Sequence, residues 1–223
     1  QAFTYIERDR YAGREKLAEE ALQLLVSTAE QRNLLFVTGA SGSGKSSFVQ
    51  ASLLPVLINY YKSKGEVIKF EVFRPSKNPK SRLNEALKRL GSRNTNIIII
   101  DQFEELFTQS DPNERIMLLD FLRKLEPFGK SHRHVIATLR SDYLGEMFGV
   151  KWLWDIAKQG IELREMRKQE LKDAIIRPLQ AKYPDGRKRF EIELVEKLAD
   201  DTSGSVTYLP LLQVTLEQLW NKG

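Results

Sequence analysis

Leu17, Ala21, Leu24, Leu25 and Thr28 fall at the spacing of one helix face and predict a helix over Gly13–Glu30. Leu34–Thr38 is a short apolar, β-branched stretch that reads as a strand, and the glycine cluster Gly39–Gly44 follows it. A helix is expected from Lys45 to about Tyr61, kinked at Pro55. Val67–Phe73 alternates as a strand does, Arg74–Ser81 has loop composition, and Arg82–Leu90 reads as a helix stopped by Gly91. The four consecutive isoleucines Ile97–Ile100 suit a central parallel strand buried on both faces. Asp111–Leu125 is a predicted helix with Pro112 in its first turn. His134–Leu139 reads as a further strand, Tyr143–Gln159 as helical, and Ile161–Leu163 as a last short strand. From Lys168 the alternation stops, and Lys168–Lys182, Glu191–Asp201 and Tyr208–Asn221 all carry helical patterns. Strands alternating with helices, then helices alone, predict an α/β domain over 1–165 and a helical, lid-like subdomain over 166–223.

Composition narrows the chemistry. A chain of 223 residues, 41% hydrophobic and 29% charged, is an ordinary globular protein of one large domain or one with a small companion. It has no cysteine, which excludes disulfides, thiolate metal sites and cysteine nucleophiles. Only His132 and His134 are present, which nearly excludes a histidine-rich metal site or a conventional serine triad, and neither is assigned a catalytic role. Absent cysteine fits a reducing, cytoplasmic compartment. No apolar run approaches the ~18 residues needed to span a bilayer, and no signal peptide opens the chain. It begins at Gln1 and is read as a domain of a longer protein. The net charge of +5 permits an anionic partner without demanding one.

Gly39-Ala40-Ser41-Gly42-Ser43-Gly44-Lys45-Ser46 satisfies G-x-x-x-x-G-K-[ST] in full, and it lies after a predicted strand and before a predicted helix. Glycines let the backbone wrap a phosphate chain and turn successive N–H groups toward it. The helix that starts at Lys45 aims its positive end at the same anion. Lys45 adds a full charge near the β- and γ-phosphates, and the Ser46 hydroxyl can ligate magnesium. The neighbouring Ser47 completes the candidate set.

Asp101, closing the isoleucine strand, stands at the carboxyl edge of the sheet, where open α/β folds bind ligands, and would hold magnesium directly or through water. Glu104 or Glu105 could polarise the attacking water, with the lean toward Glu104. Val135–Leu139 ends at Arg140, which reaches a γ-phosphate if this strand lies between the phosphate-loop strand and the acidic strand.

With these residues in place the chain resembles the STAND-class signalling NTPases, relatives of the AAA+ ATPases. Tyr11-Ala12-Gly13-Arg14-Glu15 resembles their F-x-G-R-E opening. Gly39–Ser47, Asp101-Gln102-Phe103-Glu104-Glu105-Leu106-Phe107-Thr108 and Thr138-Leu139-Arg140-Ser141-Asp142-Tyr143 are close to the novel STAND NTPases of prokaryotes. Leu209-Pro210-Leu211-Leu212-Gln213 resembles the family's Leu-Pro-Leu segment, with Tyr208 in place of a preceding glycine. The resemblance implies a parallel five-stranded sheet in the order 5-1-4-3-2, ATP/ADP and Mg2+ as ligands, Gly13 and Arg14 near the base or phosphates, and Pro210 against the adenine. It also implies a nucleotide-driven switch, further sensor or effector domains in the same protein, and self-assembly when active. Two rivals are an AAA+-like ATPase acting on nucleic acid and a nucleotide-gated scaffold without hydrolysis.

Arg74–Arg82 and Arg187-Lys188-Arg189 are expected to be solvated loops, which disfavours a nucleic-acid surface. Tyr60-Tyr61-Lys62 should anchor a helix end. Trp152 and Trp154 cannot share one helix face, so one is expected to be exposed or at a domain contact. Trp220 continues the face of Leu209, Leu212 and Leu216 and is expected in the core.

Overall fold

The computed structural model describes residues 2–27, 33–91, 95–125, 133–187, 189–204 and 208–222, the last three by backbone alone. Thr28, His132, Lys188 and the side chain of Trp220 lie outside the described residues.

After a 3-10 turn at Tyr5–Arg10 the elements are α1 Glu15–Ser27, β1 Leu34–Gly39, α2 Lys45–Ser47, α3 Leu54–Ser63, β2 Ile68–Phe73, α4 Pro79–Leu90, β3 Thr95–Ile100, α5 Glu105–Thr108, α6 Pro112–Arg123, β4 Arg133–Arg140, α7 Lys151–Lys158, β5 Ile161–Glu162, α8 Lys168–Lys182, α9 Ile192–Thr202 and α10 Leu209–Lys222. The five strands form one parallel sheet in the order β2-β3-β4-β1-β5, the order expected. Every residue of β1 and β3 is buried, as their unbroken apolar runs require, whereas edge strand β2 is only partly covered.

Some elements differ from expectation for identifiable reasons. α4 starts three residues earlier than its apolar pattern because Pro79 takes the first helical position, where its missing N–H costs nothing. The helix from Lys45 runs through Pro55 to Ser63. It widens over Phe48–Leu53 to π-type bonds, the Leu54 N–H reaching the Val49 carbonyl just before the proline. Asp111 caps α6 by accepting the N–H groups of Asn113 and Glu114. The first half of the helical stretch after β4, Ser141–Gly149, is 3-10 rather than α. Both tryptophans of α7 are half-buried against the core, so neither is exposed as one was expected to be. Fully buried Leu153 sits between them, so each flanks the buried line by about 100° and an indole is wide enough to lean back.

The chain divides into two compact units. One comprises 19–38 and 56–162 and holds the sheet; its core gathers Phe36, Ile98, Ile100, Phe103, Leu106 and Val135. The other comprises 1–18, 39–55 and 163–223, with a smaller core of Met166, Leu171, Ile175, Val195, Ala199 and Leu212.

Candidate functional site

The glycine loop leaves β1 directly. Ala40, Ser41 and Gly42 form its exposed crown, while Gly39 and Ser43 are buried at its base. Gly42 and Gly44 hold φ of +79° and +85°, the left-handed region that side chains resist. Gly39 is required for space as well: a Cβ there would stand 2.8 Å from both the Leu163 carbonyl oxygen and Ser43 Oγ. The Phe48 N–H bonds the Gly44 carbonyl at 2.8 Å, so the helix begins within the motif. Lys45 Nζ donates to the carbonyls of Gly39 at 2.9 Å and Ala40 at 2.8 Å, which folds the ammonium over its own loop. Ser46 is half-buried on the first turn, and Ser47 Oγ accepts the Phe3 N–H at 3.0 Å.

In the same unit Gly13 and Arg14 pack on the start of α8. Gly13 has φ +98°, and a Cβ there would lie 2.5 Å from the Glu170 carbonyl oxygen. Arg14 is buried, and its Nη2 donates to the Arg164 carbonyl at 3.0 Å. Burial pushes the Tyr11 hydroxyl pKa up to about 12 and that of Arg14 down, the latter opposed by Tyr11 and Glu170. Pro210 is exposed on the first turn of α10, two residues before buried Leu212.

The sheet unit carries the acidic residues. Asp101 is buried one residue beyond β3, its N–H bonded to the Phe73 carbonyl at 2.8 Å. Its carboxylate accepts Thr138 Oγ1–H at 2.8 Å and Arg74 Nε–H at 3.3 Å. Thr138 Oγ1 also accepts the N–H of Gln102 at 2.9 Å; Gln102 turns the chain at φ +55°, a conformation uncommon outside glycine. The two candidate bases separate here. Glu105 is committed to a loop, accepting both the N–H and the hydroxyl of Ser76 at 3.1 and 3.0 Å. Glu104 instead lies beside the end of β4 and accepts the Arg140 N–H at 3.3 Å. The Arg140 guanidinium is bidentate to Asp142, at 3.1 and 2.6 Å, and lies 5.1 Å from the Tyr143 ring centroid. The bond to Asp142 raises its pKa further.

Thr138 and Arg74 were not singled out by sequence reasoning. A hydroxyl inside the apolar run Val135–Leu139 is the available signal for Thr138, whereas Arg74 reads as one basic loop residue among several. Lys77, Lys80 and Arg82 are exposed as expected; Arg74 is different because its guanidinium meets Asp101. His134 is buried against Tyr61, and that tyrosine anchors the end of α3 as expected. Among the described residues no three or more His, Cys, Asp or Glu side chains gather as a metal cage. The Ser46 hydroxyl and the Asp101 carboxylate are hard oxygen donors of the kind that fits magnesium, which is commonly held by one or two carboxylates together with substrate phosphates. Among the same residues no helix is long and apolar enough to cross a membrane.

A glycine phosphate loop between β1 and its helix, in a parallel sheet with the fourth strand between the first and third, defines a P-loop NTPase of the AAA+-like class. The chain matches the family Novel STAND NTPase 1 over residues 1–223 and belongs to it. Comparison with curated proteins finds no match. Similar solved structures include the ORC2 protein of Aeropyrum pernix in ADPNP–ADP complexes, at 14% identity and a TM-score of 0.65, covering 91% of this chain and 60% of that one. The ORC1 protein of the same organism in complex with DNA matches at 16% identity and 0.58, covering 95% and 60%. AMPPCP-bound DnaA from Aquifex aeolicus matches at 16% and 0.55, covering 93% and 60%. The chain thus spans about 60% of the length of these structures, and the likeness is one of fold.

Proposed function

We propose that this chain binds ATP and ADP at Gly39–Ser46 and hydrolyses ATP slowly, serving as a nucleotide-driven switch. The observation that carries the reading is the complete phosphate loop, with Gly42 and Gly44 in left-handed conformations and Lys45 on the first helical turn, in a member of this family. The backbone N–H groups and Lys45 bind the phosphates. Ser46 and Asp101 would hold magnesium, which when bound neutralises phosphate charge. Glu104 orients and deprotonates the attacking water, because Glu105 is engaged with Ser76. Arg140 exchanges Asp142 for the γ-phosphate and so distinguishes ATP from ADP. Gly13 and Arg14 lie near the base or phosphates and Pro210 against the adenine, and the helical subdomain over 166–223 moves with nucleotide state. The switch would act on further domains of the same protein and through self-association in the ATP state, in signalling or defence in the cytoplasm.

Equilibrium binding of a fluorescent ATP or ADP to wild type and Lys45→Ala is the primary test, with at least a tenfold loss expected for the variant. Unaltered affinity would remove the site assignment. In single-turnover phosphate release, Glu104→Gln should slow the reaction by roughly 100-fold, the scale of a lost general base, and Glu105→Gln by much less. No change with either variant would favour a scaffold that binds without hydrolysing. The DNA-bound ORC1 likeness and the +5 charge keep one rival in view. Turnover stimulated by DNA or RNA and falling steeply with salt would replace the switch by a nucleic-acid-directed ATPase.

A further inference from the structure

Arg74 enters the acidic site from a loop whose root is fixed. The register that sets Phe73 opposite Ile100 makes Arg74 and Asp101 the next residues of neighbouring strands. Ser76, held at φ +49°, is clamped through its N–H and hydroxyl by Glu105, and its carbonyl accepts Ser110 Oγ–H at 2.5 Å. The Asp111 N–H reaches the Lys77 carbonyl at 3.5 Å. Beyond this root the Arg74 side chain opens to solvent: it is 54% exposed, against 5% for Asp101, and its Nε stands 3.3 Å from Asp101 Oδ2. A charged group open to solvent on one side, and paired on the other with a buried carboxylate, is placed to hold that carboxylate and to release it.

We propose that Arg74 is a positioning residue that holds Asp101 Oδ2 in competition with a divalent cation. The inference rests on the reading of Asp101 as the carboxylate on the cation side. A guanidinium and a dication repel, and both claim the same oxygen, so cation entry requires Arg74 to swing into solvent. Thr138 keeps its bond to the other carboxylate oxygen throughout, which preserves the aim of the side chain. Arg74 thereby sets how much free magnesium is needed before nucleotide is held in its metal-bound form.

The test measures binding, not turnover: affinity for fluorescent ADP across a magnesium titration, for wild type, Arg74→Gln, Arg74→Lys and Asp101→Asn. Arg74→Gln should lower the half-saturating magnesium concentration roughly two- to fivefold, the range of a partly exposed ion pair. Arg74→Lys, which keeps the charge, should lie nearer wild type. ADP affinity without magnesium and the thermal midpoint of the free protein should both be close to wild type in Arg74→Gln, outcomes a merely structural role would not give together with a shifted titration. Asp101→Asn should flatten the magnesium dependence. If Asp101→Asn flattens it but Arg74→Gln leaves the half-saturation unchanged or raises it, the competition is wrong while the reading of Asp101 stands. If Asp101→Asn leaves the dependence intact, the reading of Asp101 fails and takes the proposal with it.

Discussion

The hydroxyl of Thr138 offers the sharpest test of how the acidic edge is held. It is 1% exposed, donates to Asp101 Oδ1 at 2.8 Å and accepts the Gln102 N–H at 2.9 Å. Thr138→Val keeps the shape and opens no cavity, so its cost isolates the two hydrogen bonds. A bond to a charged acceptor contributes about 1.5–3 kcal/mol, and the N–H of half-buried Gln102 adds up to about 1 kcal/mol once its acceptor is a methyl group. The variant should therefore lose about 3 kcal/mol. Thr138→Ser keeps the hydroxyl and removes one methyl, for a loss of about 1 kcal/mol. Urea unfolding followed by tryptophan fluorescence suits the measurement, because Trp152 and Trp154 are half-buried in the unit that contains Thr138. A Thr138→Val midpoint within about 0.5 kcal/mol of wild type, or a serine variant as damaged as the valine one, would refute the bridging role.

Two further outcomes follow from the structure. Gly13→Ala combines a left-handed φ with a Cβ 2.5 Å from the Glu170 carbonyl and should cost about 3 kcal/mol, whereas Gly186→Ala, at φ +70° in open space, should cost about 1 kcal/mol; equal urea midpoints for the two would deny the close approach. Burial lowers the pKa of His134 from 6.5 to about 4, opposed by Glu66, so the stability it contributes is complete above pH 6.5 and is lost as pH falls toward 4. That loss amounts to about 3 kcal/mol, and His134→Gln should flatten the acid limb of the stability profile; an unchanged limb would exclude His134 as its source.

Element type was legible wherever the apolar pattern was strong. Ile97–Ile100 announced an interior strand because only a strand covered on both faces tolerates so continuous a run. The order of the strands was not read from the pattern at all; it came with the resemblance carried by Gly39–Ser47 and Asp101–Thr108. Arg74 and Thr138 escaped notice for one shared reason. Their importance is set by register, Phe73 and Ala137 lying opposite Ile100 on its two sides, and register is a property of pairing rather than of local composition. The 3-10 path of Ser141–Gly149 was likewise not legible in its apolar spacing. Between Glu104 and Glu105 the sequence offered only a lean, since adjacent carboxylates are told apart by which loop reaches them.

The cationic groups of the proposed site share a feature that bears on switching. Lys45 is held by carbonyls of its own loop, Arg140 by Asp142 and Arg74 by Asp101. An anion that recruits Lys45 or Arg140, or a metal that displaces Arg74 from Asp101, must substitute itself for an existing protein contact, so its net affinity is the difference between the new contact and the old. Such an exchange is what makes binding informative: a ligand shifts a conformational equilibrium only by the difference in its interaction with the two states. A γ-phosphate has acceptors to offer Arg140 that ADP lacks, while Asp142 competes equally against both nucleotides. The bidentate contact to Asp142 therefore sets a threshold that, on the proposed reading, the third phosphate is equipped to cross, and it lies two residues along the same chain rather than in a distant element.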